Sequence, residues 1–174
     1  MARTDAIDLG SLRLTAGEGR RLDAEVAVEP FRYGGDPYRL AEGERIAVRV
    51  DISCMTARGY ALRLRGRAGL RGPCMRCLRD AAPTVELDVR EVDQPGGGDE
   101  LSSPYVAAEE LDLRAWTRDA IALALPGQIT CRPDCPGLCP ECGVLLDQAG
   151  PEHGHARPPD PRWEKLRELK LEQS

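Results

Sequence analysis

The sequence predicts an α+β fold, a twisted antiparallel sheet or partial barrel with one covering helix and a cysteine-rich C-terminal module. Three observations lead to this prediction. Apolar and polar residues alternate between Leu22 and Val89, one segment before Pro126 has helical spacing, and four of the seven cysteines fall between Cys131 and Cys142. A chain of 174 residues is long enough for one such domain and a small appendage.

In four segments the apolar residues occupy every second position, which is typical of strands with a single buried face. Their inward positions are Leu22, Ala24, Val26 and Val28; Ile46, Val48, Val50 and Ile52; Tyr60, Leu62 and Leu64; and Val85, Leu87 and Val89. Cys54 follows the inward positions of the second segment at the same two-residue spacing. We therefore expect it to be a small core residue with no catalytic or metal-binding role. Residues 55–59 are expected to form a short hairpin connection between the second and third segments.

The chain after these strands predicts a loop and then helices. Residues 95–104 are rich in Gly, Ser and Pro, which predicts a flexible loop. A helix is expected to follow, with Asp112 as its N-cap and Pro126 just past its end. Its buried stripe is predicted to consist of Leu113, Trp116, Ala120, Leu123 and Ala124. A last helix is signalled by Asp160 and Pro161 and is expected to dock through Trp163.

These elements divide the chain into two expected domains. Residues 1–126 form the sheet and its helix, and residues 127–174 form the cysteine-rich module with the C-terminal helix. No apolar stretch is long enough for a membrane span or a signal peptide, so we expect a cytoplasmic protein with no membrane partner. Common catalytic motifs are missing, so we expect neither an enzyme nor a small-molecule substrate.

Cysteine and histidine spacing predicts metal binding. In a reducing compartment, clustered thiols are more often metal ligands than halves of disulfides. Residues 139–143 read Cys-Pro-Glu-Cys-Gly, which is typical of a zinc knuckle, and His153 and His155 follow it. Six cysteines and two histidines supply eight candidate ligands, and the preferred grouping joins Cys74, Cys77, Cys131 and Cys135 in one site and Cys139, Cys142, His153 and His155 in the other.

Other arrangements of these ligands stay open. Cys74 and Cys77 could face Cys139 and Cys142 instead, a single zinc could leave spare thiols, and the histidines could be plain loop residues. In any closed four-ligand site, zinc has no position left for water or substrate, so we expect it to be structural. Structural zinc contributes on the order of 10 kcal/mol to the folding of small modules.

An arginine-rich segment is the candidate RNA-binding region. Residues 58–79 carry seven arginines and no acidic residue, although the whole chain has a net charge of −5. Arg63, Arg65 and Arg67 occupy alternate positions, so in a strand they would lie on the same face. They could form a row that follows a phosphate backbone. The alternative is a face neutralised by acidic residues such as Glu86 and Asp88 on the next strand. The candidate RNA contacts are Arg58, Arg63, Arg65, Arg67, Arg71 and Arg76.

Several motifs together resemble a known family. They are C-M-R-C-L over residues 74–78, L-D-L before a helix that ends A-L-P at Pro126, C-x3-C-P-G-L-C-P-E-C-G over residues 131–143, and D-P-R-W-E-K-L over residues 160–166. In this order they resemble the YceD family of large ribosomal RNA subunit accumulation proteins. The resemblance implies a bacterial cytoplasmic protein needed for normal levels of the large-subunit (23S) ribosomal RNA.

The resemblance also assigns some residues. It matches Cys74 and Cys77 to the C-x-R-C pair of the family, and Cys139 and Cys142 to its C-P-x-C-G knuckle. The pair of histidines after residue 152 stands where some relatives carry C-x-C, a change that preserves ligand chemistry.

We therefore expect a non-enzymatic factor of large-subunit ribosome assembly with structural zinc, which binds ribosomal RNA or a large-subunit ribosomal protein. One alternative is a zinc-stabilised protein-interaction adaptor that never touches RNA, and the salt dependence of binding separates it from an RNA-binding factor. The other is a thiol redox switch, in which oxidation of Cys139 and Cys142 releases zinc.

Overall fold

The computed structural model describes residues 2–155. Within that range the strands in chain order are β1 Ala2–Arg3, β2 Ala6–Asp8, β3 Gly19–Ala27, β4 Phe31–Tyr33, β5 Asp36–Leu40, β6 Arg45–Cys54, β7 Tyr60–Pro73, β8 Asp80–Ala81, β9 Thr84–Asp93, β10 Val106–Ala107 and β11 Glu110–Asp112. The same range contains one α-helix, α1 at Leu113–Ala124. The C-terminal helix expected from Asp160, Pro161 and Trp163 lies outside the described residues.

The larger sheet confirms the expected fold class. Its strands follow the order β1-β3-β6-β7-β5-β4, with β8 and β9 also paired to β7, and the sheet does not close into a barrel. Each pair is antiparallel except β1 with β3. Strand β7 is the centre of this arrangement, since its first part pairs with β6 and β9 and its last part pairs with β5 and β8.

The alternation seen in the sequence becomes the two faces of this sheet. Leu64 lies opposite Val50 on one side and Val89 on the other, so the inward positions of three strands meet in register. The side chains of Val50, Ile52 and Leu64 are fully buried. Cys54 is buried as well, as predicted for a small core residue.

Helix α1 covers the sheet and begins where the sequence predicts. Asp112 is its N-cap and accepts a hydrogen bond from the Ala115 amide at 2.8 Å. The strand β11 that precedes the helix belongs to a small sheet of order β10-β11-β2, and α1 contacts β9, β3 and β2. The buried side chains of the helix are Leu113, Trp116, Thr117, Ala120 and Ile121.

Two residues of the predicted stripe are exposed, so that part of the prediction was wrong. Leu123 is 81% exposed and Ala124 is also exposed, whereas Leu125 just after the helix is buried. At about 100° per residue, Leu123 lies roughly a quarter turn from the centre of the buried stripe. The core is instead closed by Ile121 and by the chain as it leaves the helix.

The hairpin formed by β4 and β5 is not among the elements predicted from the sequence. Its turn is made by Gly34 and Gly35, whose φ angles of 60° and 92° lie in the left-handed region that glycine favours. The signal was present as aromatic residues on both sides of a Gly-Gly pair, but these positions do not alternate as cleanly as the longer strands do.

Contacts divide the chain into two compact units, one that ends at Cys135 and one that begins at Pro136. Cys131 and Cys135 therefore belong with the sheet. The boundary between residues 126 and 127 stays a prediction about independent folding, and so does the flexibility of residues 95–104, where the structure has a short 3-10 helix at Asp99–Leu101.

Candidate metal centres

The first candidate centre lies where strand β7 ends. Cys74 and Cys77 occupy the tight turn between β7 and β8, and Cys131 and Cys135 belong to the segment that follows helix α1. The four sulfur atoms all lie within 4.8 Å of one another. The structure thus brings together the four residues of one predicted set, within one unit of the chain.

The sulfur separations suit a tetrahedral metal. Cys74 Sγ lies 3.8 Å from Cys135 Sγ, and Cys77 Sγ lies 3.6 Å from Cys131 Sγ. Four thiolates at about 2.3 Å from a tetrahedral zinc are about 3.8 Å apart. A disulfide requires a sulfur separation of about 2.05 Å, and all four cysteines are free thiols. The cluster could therefore hold a metal ion.

Backbone hydrogen bonds give the first pair of cysteines its shape. The Leu78 amide donates to the Cys74 carbonyl at 2.9 Å, and Leu78 itself adopts a φ of 61°. The Arg76 amide donates toward Cys74 Sγ at 3.4 Å. The Met75 amide donates to the carbonyl of Ile129 at 2.8 Å, which ties this turn to the segment that carries the other two cysteines.

Arg76 connects the two halves of the first centre. Its Nη1 donates to the Cys135 carbonyl at 2.9 Å, and its Nε donates to Gln128 Oε1 at 3.1 Å. The sequence identified Arg76 as a candidate RNA contact, but here the guanidinium holds the ligand-bearing segments together. Nothing in the local sequence marks Gln128 or the Cys135 carbonyl as its partners, because they lie more than fifty residues away.

Burial and hydrogen bonding act on these thiols in opposite directions. Cys74 and Cys135 are fully buried and Cys77 is 4% exposed. Burial alone would raise the pKa of the Cys74 thiol, but amide donation from Arg76 and its neighbours outweighs burial and lowers the pKa to about 6. Desolvation, together with the neighbouring Cys77, raises the pKa of Cys131 to about 12. Four thiols in so small a volume cannot all ionise without a cation between them.

The second candidate centre lies in the other unit and is built from a short stretch of chain. Its ligand atoms belong to Cys139, Cys142, His153 and His155 and all lie within 4.8 Å of one another. Cys142 Sγ is 3.7 Å from His153 Nε2, and the two imidazole rings have centroids 4.9 Å apart. These four residues form the other predicted set, and they too could hold a metal ion.

A glycine shapes the knuckle of the second centre. The Gly143 amide donates to the Cys139 carbonyl at 2.9 Å, and Gly143 adopts a φ of 71°, in the left-handed region that glycine favours. The Cys139 amide donates to the Val144 carbonyl at 2.8 Å. Donation from the His153 side chain and from the amides of the knuckle lowers the pKa of Cys139 to about 6, which favours the thiolate that a metal binds.

One acidic residue supports the second centre from outside. A carboxylate oxygen of Glu141 lies 3.5 Å from Nδ1 of His155. Carboxylates that accept from the second nitrogen of a ligating imidazole fix its orientation in many metal sites. Glu141 lies within the Cys-Pro-Glu-Cys stretch, and only the folded position of His155 reveals this contact.

The predicted arginine row is paired with carboxylates. Arg63 bonds Asp88 on β9 at 2.6 Å, and Arg67 lies 3.2 Å from Glu86 on the same strand. Arg65 pairs with Asp51 on β6, which also accepts from Arg21. Arg63 donates to Asp88 and thereby lowers the pKa of that carboxyl. The outer face of the sheet is therefore an alternating network of charges, as in the alternative weighed in the sequence analysis.

The remaining candidate arginines lie apart from this network. Arg58 is exposed in the turn between β6 and β7, where its φ is 60°. Arg71 is exposed near the end of β7, directly opposite Arg39 on β5. Arg39 was not singled out from the sequence. Whether any of the six arginines touches RNA stays a prediction.

The region that carries both candidate centres matches a known protein family. The family model described as large ribosomal RNA subunit accumulation protein YceD matches residues 62–170, a range that contains all eight candidate ligands. The chain belongs to the YceD family. The resemblance drawn from the cysteine motifs is therefore confirmed.

The curated proteins that this chain matches include uncharacterized mycobacterial proteins. The chain is 41% identical over 106 residues to one from Mycobacterium bovis and one from Mycobacterium tuberculosis, which covers 56% of this chain and 49% of each relative. It is 33% identical over 102 residues to a Mycobacterium leprae protein, covering 55% of this chain and 46% of that protein. The chain thus spans about half the length of the curated relatives it matches. No solved structure matches it significantly.

No helix in the described part of the chain is both long enough and apolar enough to cross a membrane.

Proposed function

We propose that this chain is a non-enzymatic factor that supports the accumulation of large-subunit (23S) ribosomal RNA and assembly of the large subunit, by binding that RNA. The family match carries the proposal, since the matching model bears the description of a large ribosomal RNA subunit accumulation protein. A local RNA contact is compatible with the net charge of −5, because phosphate binding depends on a few positioned arginines rather than on the total charge.

Zinc is the cofactor we propose for both centres. Thiolate and imidazole ligands in sets of four are typical of structural zinc, and tetrahedral coordination by four protein ligands leaves no position for a substrate. In the first centre Cys74, Cys77, Cys131 and Cys135 would hold the ion, and in the second Cys139, Cys142, His153 and His155 would do so. The YceD family is not known as an enzyme family, in agreement with a role for zinc in shaping the protein.

Crosslinking in cells tests the RNA partner. Ultraviolet crosslinking of the tagged chain, followed by sequencing of the attached RNA, should recover large-subunit ribosomal RNA well above small-subunit RNA. Depletion of the protein should lower the ratio of large-subunit to small-subunit RNA in the same cells. Recovery of both RNAs in proportion to their abundance, with an unchanged ratio after depletion, would contradict the proposal.

An adaptor that binds a large-subunit protein is the second candidate. It is favoured by the ion-paired outer face and by two strongly exposed leucines, Leu78 at 65% and Leu123 at 81%. Binding through apolar residues is nearly independent of salt, whereas an RNA contact through several phosphates weakens steeply as salt rises. Purified large subunits therefore distinguish the two: the adaptor would stay bound at high salt, and Leu123→Ser would weaken its binding.

A further inference from the structure

Arg39 and Arg71 lie side by side on neighbouring strands of the sheet. They are directly opposite each other on the antiparallel strands β5 and β7, and both are exposed. Residues opposite each other on antiparallel strands have Cβ atoms about 5 Å apart, and like charges there are destabilising. Among the described residues, neither guanidinium has a carboxylate within ion-pair distance.

This pair differs from the other arginines of the same strand. Arg63, Arg65 and Arg67 each face a carboxylate on a neighbouring strand. Within the part of the chain that the structure describes, Arg71 is therefore the arginine of β7 that has no paired carboxylate, and it lies three residues before Cys74. A metal in the first centre would hold this end of the strand rigidly, which favours a preformed binding geometry.

A cavity of about 450 Å³ lies beside the two arginines. Its lining includes three prolines, one acidic residue and both guanidinium-bearing side chains, namely Pro30, Pro37, Pro73, Asp80, Arg39 and Arg71. Tyr38, which also lines it, is almost fully buried and donates its hydroxyl to the Pro73 carbonyl at 2.7 Å, so this wall is fixed. The volume lies within the range of small-ligand sites and is sufficient for one nucleotide.

We propose that Arg39 and Arg71 form a clamp for backbone phosphates of single-stranded RNA, with one unstacked nucleotide in the adjacent cavity. This inference rests on the proposed function. Guanidinium groups bind phosphate oxygens in bidentate fashion, and proline walls offer apolar surface to a ribose or base. Asp80 can accept a hydrogen bond from a ribose 2′-hydroxyl or an exocyclic amine, and the carboxylates of an acidic peptide offer no such donor.

The test measures binding of deproteinised large-subunit ribosomal RNA to the full chain by filter retention over a series of salt concentrations. In the variant R39Q/R71Q, we expect affinity to fall roughly 10- to 100-fold. The slope of log affinity against log salt should fall by about 1.4, for two lost single-strand phosphate contacts. The matched control R21Q/R49Q removes two carboxylate-paired arginines of β3 and β6, which lie outside the candidate RNA contacts, and should leave that slope unchanged.

The outcomes separate this inference from the proposed function. If the unaltered chain does not retain the RNA, the proposed function fails. If it does, and R39Q/R71Q retains RNA with unchanged affinity and slope, the clamp alone is overturned. Binding of polyglutamate that is lost in R39Q/R71Q, while RNA retention stays unchanged, would identify a site for acidic peptides and also overturn the RNA clamp.

Two further measurements guard against a folding defect. The melting temperature of R39Q/R71Q should equal or exceed that of the unaltered chain, because the variant removes repulsion between like charges. The variant R39K/R71K keeps both charges and should preserve the salt slope while losing part of the affinity, since lysine lacks the planar fork of arginine. Unaltered affinity in this lysine variant would contradict bidentate binding, even if the glutamine variant unfolds.

Discussion

The two candidate metal centres use similar ligands in different structural settings. In the first, Cys74 and Cys135 are 61 residues apart in sequence and fully buried beside the sheet. In the second, Cys142 and His153 are 11 residues apart, and Cys142 is exposed. The first centre therefore joins distant parts of the fold, whereas the second organises a short segment that has little other structure.

This difference in sequence separation has an energetic consequence. Closing a loop of 61 residues removes about 1.5 kcal/mol more chain entropy than closing one of 11 residues. The first centre also lies against buried strands, so its loss leaves thiols in the core without a partner. We expect the first centre to stabilise the sheet itself and the second to shape its own segment.

The largest expected effect is on the stability of the sheet. Cys74→Ser should lower the free energy of unfolding of the sheet unit by about 4 kcal/mol or more, because loss of a metal site is among the most destabilising changes known. The matched variant Cys139→Ser should change it by less than about 1 kcal/mol. Hydrogen exchange of the Val50 and Leu64 amides measures both. Equal losses in the two variants would contradict the proposed division of roles.

A smaller effect is expected from Glu141 in the second centre. Glu141→Gln removes the carboxylate that faces His155 Nδ1 and should weaken zinc binding there by about 10- to 100-fold. Competition with a chelator of known affinity measures this, and Glu152→Gln, an exposed residue of the same unit, serves as the control. Equal affinities in the two variants would show that Glu141 does not position the imidazole.

The smallest expected effect concerns access to the thiols. In the zinc-loaded chain, Cys142 should be alkylated at least about tenfold faster than Cys74, since reaching a buried thiol requires local opening of the structure. Mass spectrometry after brief treatment with iodoacetamide resolves the two positions. The same order under peroxide, with zinc released from the second centre first, is the behaviour that a redox switch requires. Simultaneous modification would argue against it.

The strands and metal ligands that could be predicted from the sequence are those marked by a pattern within a few neighbouring residues. Alternation over ten residues identifies β6 whatever its neighbours are, and two cysteines three residues apart identify a knuckle. The helix N-cap at Asp112 is equally local, since its partner is the Ala115 amide one turn away. These features did not require knowledge of which strands pair.

Features that depend on which strands pair, and in which register, could not be predicted from local sequence patterns. The partner of Arg67 is Glu86 because β7 and β9 pair in one particular register, and a shift of that register would change every pair on the face. The juxtaposition of Arg39 with Arg71 arises from pairing of β5 with β7. Exposure of Leu123 depends on where the helix meets the sheet, which helical periodicity alone does not determine.

Metal content tests the central claim most directly. Protein purified without chelator and analysed by inductively coupled plasma mass spectrometry should contain two zinc ions per chain, one for each set of four ligands. The double variants C74S/C77S and C139S/C142S should each retain one. A wild-type content far below one zinc per chain, or loss of both ions in either variant, would contradict two independent structural zinc centres.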